Sequence, residues 1–309
     1  MRTLITGGAG FLGVALANRL AAEGHAVYVL DDLTAGDRDR LDPRVLFTRG
    51  DVRDVPRLWS LLAGVQVVYH LAARVSVPES ILYPVDYNAV NTGGTVSVMS
   101  AARDAGVRRV VFTSSGTIYG EQTTQPIVEG AQPRPSNPYA VSKLAAEHYV
   151  RAIGDLYRIE TVILRIFNAY GPGQAVPPAH PPVIPHFVRQ ITAGGSVVLH
   201  GNPPGGQTRD FVHVDDVVEA LCRAGATGGV TGATLNIGSG VETSLADLIA
   251  AIERATGREA QVLASPEQSG GVARMCADIR AARTALDWSP SVALADGLAG
   301  LAALARGGR

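Results

Sequence analysis

A tyrosine and a lysine four residues apart are the first candidates for chemistry in this chain. Tyr139 and Lys143 lie in the run NPYAVSK at 137–143, and this spacing places both side chains on one face of a helix. Asn137 can cap that helix and Pro138 suits its first turn, so the helix dipole and the lysine charge both favour a phenolate. A tyrosine with a pKa of about 10 needs such help to act as a base near neutral pH. The competing interpretation is a surface tyrosine beside a solvated lysine.

Hydroxyl groups follow an apolar strand upstream of this pair. Residues 110–112 (VVF) run into TSSGTIYG at 113–120, and open α/β sheets bind ligands at the carboxyl ends of their strands. Ser115 could hold a reacting alcohol while Tyr139 moves its proton and Lys143 tunes the tyrosine. These three residues predict a hydride-transfer site, against the alternative of an ordinary turn rich in serine and threonine.

A glycine-rich loop near the N-terminus predicts a dinucleotide site. Gly7, Gly10 and Gly13 stand in TGGAGFLG at 6–13. They permit a tight turn, close approach of backbone N–H groups to a diphosphate, and helix–strand packing. Asp31 follows Gly10 by 21 positions, so its carboxylate can accept bonds from both adenosine ribose hydroxyls and would repel a 2′-phosphate, which predicts NAD rather than NADP. The alternatives are an ordinary strand-to-helix turn for the loop and a turn residue for Asp31.

The elements that must position these groups alternate along the chain. Short β-branched runs separated by helical stretches predict an α/β fold, a doubly wound parallel sheet of Rossmann type. We predict an NAD-binding domain at 1–165 that carries the catalytic residues, and a smaller C-terminal α/β domain, mainly for substrate, at 166–309. The segment 171–185, rich in proline and glycine, is predicted to be an ordered substrate loop. Glycine predicts left-handed helix ends at Gly24, Gly106, Gly194 and Gly257, and the spacing of Leu245, Leu248, Ile249 and Ile252 predicts a core-facing helix.

Composition excludes several classes of partner. The 309 residues are 46% hydrophobic with a net charge of −1, and no basic cluster predicts contact with nucleic acid. No apolar run reaches the length of about 18 residues that a membrane span needs, and the N-terminus is too short for a signal peptide. Cys222 and Cys276 form no disulfide framework, so we expect a soluble protein of the reducing cytoplasm.

The histidines do not predict a metal site. HExxH is absent, and a proline-containing loop separates His180 from His186. A strand end followed by an Asp-capped helix accounts for the HVDD run at 213–216. We therefore predict that no metal is bound.

The motifs together resemble the extended short-chain dehydrogenase/reductases, specifically the NAD-dependent epimerase/dehydratase family and its UDP-glucose 4-epimerase branch. The GxxGxxG spacing is the form found in short-chain dehydrogenase/reductases. The motifs that carry the resemblance are TGGAGFLG at 6–13, DDL at 31–33, GDV at 50–52, HLAA at 70–73, NTGGT at 91–95, SSGTIYG at 114–120, YAVSK at 139–143, RIFNAYGPGQ at 165–174 and QTRDFVHVDD at 207–216.

The resemblance implies roles for individual residues. It implies that Ser115, Tyr139 and Lys143 are catalytic. The implied NAD contacts are Gly7, Gly10, Phe11, Leu12, Gly13, Asp31, Asp32, Asp51, Val52, Leu71, Ala72, Ala73, Asn91, Ser114, Tyr139 and Lys143. The implied UDP-sugar contacts are Ser115, Thr117, Tyr139, Asn168, Val183, Arg209, Arg274 and Met275. The alternatives are a turn residue for Asn168 and a surface ion pair with Asp210 for Arg209.

The chain also departs from the family pattern. The run QSGGV at 268–272 lacks the arginine and aspartate of the usual RxGDV stretch, and Arg274 is the predicted replacement. Met275 stands where a bulky tyrosine is often found, which leaves more room around the sugar. Dehydratases carry Asp-Glu where this chain has Ser114-Ser115, so elimination lacks its acid and epimerisation is favoured.

The resemblance implies a reversible 4-epimerase that interconverts UDP-glucose and UDP-galactose by transient oxidation at C4, with NAD retained, as a homodimer. The dimer would form through a four-helix bundle of the helices around 96–102 and 139–157, whose additional apolar residues include Val96, Met99 and Val150. The segment 171–185 holds no arginine or lysine, and Arg74 is the nearest basic residue to 75–78, which favours a neutral hexose over UDP-glucuronate. Open alternatives are a UDP-glucuronate 4-epimerase, another NAD-dependent nucleotide-sugar epimerase, dehydrogenase, dehydratase or decarboxylase, and a non-catalytic dinucleotide sensor.

Overall fold

A seven-stranded parallel sheet forms the centre of the structure, a computed structural model that describes residues 1–200, 205–265 and 272–307. In chain-order numbering its strands are β1 (Arg2–Thr6), β2 (Ala26–Asp31), β3 (Leu46–Arg49), β4 (Val67–His70), β5 (Arg109–Ser115), β6 (Glu160–Ile166) and β11 (Thr234–Ile237). They lie in the order β11-β6-β5-β4-β1-β2-β3, and every neighbouring pair is parallel. The predicted doubly wound α/β sheet is confirmed.

Helices cover both faces of this sheet. They are α1 (Phe11–Ala22), α2 (Val55–Leu62), α5 (Gly94–Asp104), α6 (Pro138–Tyr157) and α8 (Val214–Ala226), and the short helices α3 (Val77–Leu82) and α4 (Pro84–Tyr87) pack on α6. Successive strand residues point to opposite faces. Ile5 therefore packs in the core beside α1 and α8, whereas its neighbour Leu4 packs in the core beside α2, α5 and α6. Both faces are apolar, which explains the continuous hydrophobic runs in the strands.

The later part of the chain builds a third, smaller core. The elements of this part are β7 (Asn168–Tyr170), α7 (Val183–Ala193), β8 (Ser196–His200), β9 (Thr208–Arg209), β10 (Phe211–His213), β12 (Thr243–Ser244), α9 (Leu245–Thr256), β13 (Gln261–Ser265) and α11 (Leu294–Gly307). The two-stranded pairs are β7 with β10, β8 with β13, and β9 with β12. Between these elements the chain returns to the large sheet, since α8, β11 and α10 (Arg280–Leu286) pack there.

Two local predictions can be compared directly with this structure. Leu248, Ile249 and Ile252 are buried in the third core, as the helical spacing predicts. The loop predicted at 171–185 is shorter than expected, because α7 already begins at Val183. A proline at 185 is compatible with helix here because it falls in the first turn, where no intrahelical N–H bond is lost.

Glycines end four of the helices where the pattern places them. Gly24, Gly106, Gly194 and Gly257 all have positive φ, between 67° and 83°. A side chain is disfavoured in this left-handed region, so glycine stops each helix before the chain turns toward its next segment. In the described part of the chain, no helix is long and apolar enough to span a membrane.

Candidate active site

The glycine loop between β1 and α1 is too closely packed to hold side chains. Gly7 has a φ of +69°, and a Cβ there would lie 2.6 Å from the backbone N of Ala72. A Cβ on Gly13 would lie 2.2 Å from the carbonyl oxygen of Gly7. Gly10 begins α1 without a side-chain cap, so no side-chain acceptor occupies the start of this helix. Phe11 and Leu12 pack partly on the core behind the loop. The loop therefore fits a dinucleotide diphosphate bound at a helix N-terminus.

Asp31 ends β2 beside this loop. Its carboxylate accepts bonds from the N–H of Ala9 at 3.0 Å and of Leu33 at 2.8 Å. Burial raises the pKa of Asp31, and these N–H donors act against the rise. The arginines of the following loop are engaged elsewhere, because Arg38 lies over the ring of Phe47 and Arg40 donates to the carbonyl of Gly173. An acid without a neighbouring arginine fits NAD better than NADP.

The predicted adenine-side residues lie along the next strand ends. Asp51 forms a two-bond ion pair with Arg53, at 2.9 and 2.6 Å, and this pairing lowers the pKa of Asp51. Val52 is buried against the start of α5, where a Cβ on Gly94 would lie 2.6 Å from the valine methyl Cγ2. Asp32 accepts bonds from the N–H and the hydroxyl of Thr34. The structure thus places buried Val52 and the two acids Asp32 and Asp51 in the segments that follow β2 and β3.

Asn91 connects the loop after β4 to the helix that carries Lys143. The loop, which contains Leu71, Ala72 and Ala73, runs on to Arg74. The Asn91 amide accepts from the N–H of Arg74 at 2.8 Å and donates to its carbonyl at 3.0 Å and to the Ser142 hydroxyl at 3.0 Å. Asn91 is 1% exposed and sits in a π-helical turn, Asn88–Gly93. These hydrogen bonds fix the loop after β4 relative to α6, and the sequence alone did not indicate them.

Ser115 and Tyr139 meet at the carboxyl end of β5. Asn137 caps α6 by accepting from the N–H of Ala140 at 2.9 Å, as predicted, and holds Tyr139 in the first turn. The Tyr139 hydroxyl is hydrogen-bonded to Ser115, and Thr117 donates its hydroxyl to the Ser115 oxygen at 2.9 Å. Burial raises the pKa of Tyr139, while the bond to Ser115 lowers it. A phenolate at this position therefore requires a further positive charge.

Lys143 supplies a charge one helical turn away from Tyr139, and it is the only lysine in the chain. It is 2% exposed, with its Nζ 4.4 Å from the centre of the Phe112 ring. Burial lowers the pKa of Lys143 to about 7, against an opposing effect of Glu147. Among the residues described, no carboxylate lies within 4.0 Å of this amine. His70 is buried nearby and stays neutral, because burial and the lysine charge lower its pKa to about 3.

A buried ion pair joins α6, the helix that carries Tyr139 and Lys143, to strand β6. Glu147 follows Lys143 by one more turn, and Arg165 donates to its two oxygens at 2.9 and 2.8 Å. Arg165 also donates to the Tyr119 hydroxyl at 2.8 Å. Burial opposes ionisation of Glu147, but the Arg165 bonds and charge outweigh it, so the pKa of Glu147 is lowered. Sequence reasoning missed this pair, although the spacing of 139, 143 and 147 on one helix face was a usable signal.

The predicted diphosphate residues Asn168 and Arg209 lie on the short strands β7 and β9. Asn168 donates its side-chain amide to the carbonyl of Asp210 at 3.2 Å. Arg209 donates to the carbonyl of Thr208 at 2.7 Å, and burial lowers its pKa. The alternative surface ion pair of Arg209 with Asp210 is wrong. The Asp210 carboxylate is fully buried and accepts instead from the N–H and hydroxyl of Ser239 and from the N–H groups of Gly240 and Ala277.

Arg209 and Arg274 differ in whether a carboxylate pairs with the guanidinium. Arg274 makes two bonds of 2.7 Å to Glu242 and is about half exposed. In the described ranges no carboxylate lies within 4.0 Å of Arg209, so its charge remains available to an anion. Met275, the residue after Arg274, is buried in the core. Residues 268–271 of the QSGGV run, which replaces the family's RxGDV stretch, lie outside the described residues. Arg209 is therefore the stronger candidate for a diphosphate contact.

His213 marks one more difference from expectation. Its own ring nitrogen caps α8, accepting from the N–H of Asp215 at 3.3 Å, whereas an aspartate cap was predicted. Asp216 instead accepts from the N–H and hydroxyl of Ser291. In the part of the chain that the structure describes, no group of three or more His, Cys, Asp or Glu could hold a metal ion.

The glycine loop at 6–13, between β1 and α1, is called the glycine cradle below. Together with Ser115, Tyr139 and Lys143 at the carboxyl edge of a parallel sheet, it defines a protein of the short-chain dehydrogenase/reductase type. Comparison with known families narrows this class. The model of the NAD-dependent epimerase/dehydratase family matches residues 3–238, and the chain belongs to that family.

Similar proteins extend the comparison over the whole chain. UDP-glucose 4-epimerase of Mycolicibacterium smegmatis is 41% identical over 97% of this chain and 96% of its own length. The crystal structure of UDP-glucose 4-epimerase from Thermotoga maritima with UDP-glucose is 31% identical, with a TM-score of 0.95, and covers 100% of this chain and 99% of its own. The Thermus thermophilus UDP-glucose 4-epimerase complex with NAD is 33% identical, with a TM-score of 0.92, and covers 100% of both chains.

Proposed function

We propose that this protein is an NAD-dependent UDP-sugar 4-epimerase that interconverts UDP-glucose and UDP-galactose. The observation that carries the proposal is the Ser115–Tyr139 hydrogen bond beside buried Lys143, at the sheet edge next to the glycine cradle. The relatives named UDP-glucose 4-epimerase support the choice of reaction.

The cofactor side of the proposal rests on the cradle and its neighbours. Gly7, Gly10 and Gly13 would hold the diphosphate, Asp31 the adenosine ribose, and Asp51 with Val52 the adenine. The chemistry supplied by the bound dinucleotide is acceptance of a hydride from the sugar C4 and its return to the opposite face of that carbon.

The protein's own residues manage the proton. Ser115 holds the sugar 4-hydroxyl, and the Tyr139 phenolate takes the hydroxyl proton as C4 is oxidised. The positive charge of Lys143 stabilises the phenolate beforehand. When C4 is reduced again, Tyr139 returns the same proton to the sugar oxygen. Proton and hydride are both restored, so the cycle has no net redox change.

Elimination of water is disfavoured by the residues at the sheet edge. Positions 114 and 115 carry only hydroxyls, so no carboxylic acid stands where the dehydratase pattern requires one. We therefore favour epimerisation over the dehydratase alternative. The dinucleotide sensor is a weaker alternative, since binding alone does not require the Ser–Tyr–Lys set.

The choice of a neutral hexose rests on Arg74. Its guanidinium lies 3.4 Å from Glu79 and 3.7 Å from Asp86, and it stacks over the ring of Tyr87. Two acids already balance this charge, so Arg74 is poorly placed to receive a sugar carboxylate. The segment 171–185 adds no arginine or lysine.

The test is an epimerisation assay on UDP-glucose, UDP-galactose, UDP-glucuronate and UDP-N-acetylglucosamine under one condition. We expect the highest kcat/KM for UDP-glucose and UDP-galactose, with no build-up of NADH absorbance. A preference of more than about tenfold for UDP-glucuronate would overturn the sugar assignment. Absence of any epimer would overturn the function itself.

Arg209 gives a prediction about the substrate diphosphate. Replacing Arg209 with methionine removes an unpaired cation, and we expect the KM for UDP-glucose to rise by about 10- to 100-fold, as for a lost charge-assisted hydrogen bond. The matched control is Arg274→Met, whose charge is already paired with Glu242. Steady-state kinetics on both variants would contradict the assignment if Arg274→Met had the larger effect on KM.

We further propose a homodimer, a cytoplasmic location, and a substrate domain formed mainly by residues after 165, apart from α8, β11 and α10, which return to the large sheet. Met99 and Val150 are fully buried in the core, so they are not interface residues. The large hydrophobic side chains of α6 that are exposed are Val141, Tyr149, Leu156 and Tyr157, at 52%, 46%, 75% and 50%, and they support a helix-to-helix interface. The free thiols of Cys222 and Cys276 fit a reducing compartment. A monomeric mass by light scattering would rule out the dimer.

A further inference from the structure

We propose that Arg40 is a positioning residue that ties the substrate-side segment 171–174 to the loop after β2 and thereby slows release of NAD. The inference rests on the proposed function, because it concerns how the cofactor of that reaction is retained. It assigns a role to a surface arginine that lies outside the cradle and outside the Ser–Tyr–Lys set.

A single long-range hydrogen bond joins the two segments. The Arg40 Nη1 donates to the carbonyl oxygen of Gly173 at 2.7 Å, across 133 positions of sequence. Gly173 has a φ of +83°, and a Cβ at this residue would lie 1.6 Å from Arg40 Nη2. The guanidinium thus fills the space that any side chain at 173 would need. Glycine at this position is what allows the contact.

Arg40 itself is held by helix α1. The amide of Asn18 donates to the Arg40 carbonyl at 3.0 Å and accepts from the N–H of Asp42 at 2.7 Å. Arg40 ends a short 3₁₀ helix, Arg38–Arg40, which Asp37 caps. The backbone that presents the guanidinium is therefore fixed before the bond to Gly173 forms.

The same loop rests on the glycine cradle. The N–H of Asp37 donates to the carbonyl of Ala9 at 2.9 Å, and Ala9 in turn donates to Asp31 at 3.0 Å. A Cβ on Gly36 would lie 2.9 Å from both the Ala9 methyl and an Asp31 carboxylate oxygen. Movement of this loop is therefore coupled to the residues that would hold the diphosphate and the ribose.

The partner segment belongs to the substrate side. Gly173 follows β7, which carries Asn168, and the side chain of Gln174 donates back to the carbonyl of Ala169 at 3.1 Å. The Arg40 bond consequently connects the cradle loop with the strand that carries a predicted diphosphate contact. Because the dinucleotide diphosphate would lie beside the cradle loop, we expect the bond to restrain the loop movement that accompanies its release.

No ion pair among the described residues competes with Gly173 for the Arg40 guanidinium. In the described ranges no carboxylate lies within 4.0 Å of its guanidinium. Arg38, two residues earlier on the same 3₁₀ helix, is engaged differently, with its guanidinium 3.5 Å from Asp39 and over the Phe47 ring. Arg38 is therefore a matched control, since its removal takes away the same charge from the same turn without touching Gly173.

The experiment measures cofactor release. Wild type, Arg40→Ala and Arg38→Ala are loaded with NADH, mixed with a large excess of NAD, and followed by nicotinamide fluorescence. We expect release from Arg40→Ala to be about tenfold faster, as for loss of one charge-assisted hydrogen bond. Release from Arg38→Ala should match wild type, and thermal unfolding without cofactor should be similar for all three proteins.

A second variant separates the contact from general loop disturbance. Gly173→Ala introduces a Cβ that collides with Arg40 and should also speed release. In the Arg40→Ala background the collision disappears, so the two effects should be less than additive. Additive effects, or equal release from Arg40→Ala and wild type while wild type still epimerises, would overturn this inference alone. A wild type that binds no dinucleotide would overturn the proposed function and this inference together.

Discussion

Replacing Tyr139 with phenylalanine is expected to lower kcat for epimerisation by about 10³- to 10⁴-fold, the upper range for loss of a general acid–base group. The phenol oxygen is the group that bonds Ser115 and would exchange the proton of the sugar 4-hydroxyl. The ring remains, and it packs edge-on against Tyr87 with centres 6.4 Å apart. The fold and the cofactor cradle should therefore be preserved.

The matched control is Tyr149→Phe on the same helix. Tyr149 is 46% exposed and lies away from Ser115, so its variant should keep wild-type kcat. NAD content and kcat are measured on the wild type and both variants. A Tyr139→Phe protein that retains NAD and more than about a tenth of wild-type kcat would show that another group moves the proton. A wild type that binds NAD but never epimerises would instead favour the sensor alternative.

Replacing Lys143 with methionine is expected to lower kcat by about 10²- to 10³-fold, because the phenolate of Tyr139 loses its stabilising charge. Methionine fills a similar volume with an apolar chain, so the packing on Phe112 can be kept. The same substitution should make the protein more stable at neutral pH. Activity and stability therefore change in opposite directions, which a purely structural role for Lys143 does not predict.

The pH dependence of the stability gain follows from the lowered pKa. The folded-state pKa of Lys143 is about 7, against about 10.4 for an unfolded lysine. Between these values the unfolded chain holds a proton that the folded chain lacks, so wild-type stability rises with pH through this window. Burial of the charge is fully destabilising below pH of about 7, where the Lys143→Met gain should be on the order of a few kcal/mol. The gain should shrink as pH approaches about 10.

Thermal unfolding of wild type and Lys143→Met across this pH range, at matched cofactor content, checks the prediction. Because Lys143 is the only lysine, isotope labelling of lysine gives a single side-chain NMR signal whose pH titration is a second, independent measurement of its pKa. A stability difference that does not vary with pH, together with a titration midpoint near 10, would contradict the lowered pKa.

The sequence by itself determined the architecture and the chemistry-bearing triad. The alternation of β-branched and helical runs predicts the parallel sheet because each strand is apolar on both faces. The Asn137 cap and the spacing of Tyr139 and Lys143 are local features, set by hydrogen bonds within one turn of helix. The positive φ of Gly7 is likewise a backbone property that glycine signals directly.

Only the tertiary structure decided which charged groups are free to act. Arg209 and Arg274 are alike in sequence, but the fold places Glu242 against Arg274 and leaves Arg209 without a carboxylate partner among the described residues. The Arg40–Gly173 bond joins positions 133 residues apart and has no local signal. The physical reason is that ion pairing and burial depend on neighbours brought together by long-range packing, whereas caps, turns and periodicity depend on neighbours along the chain.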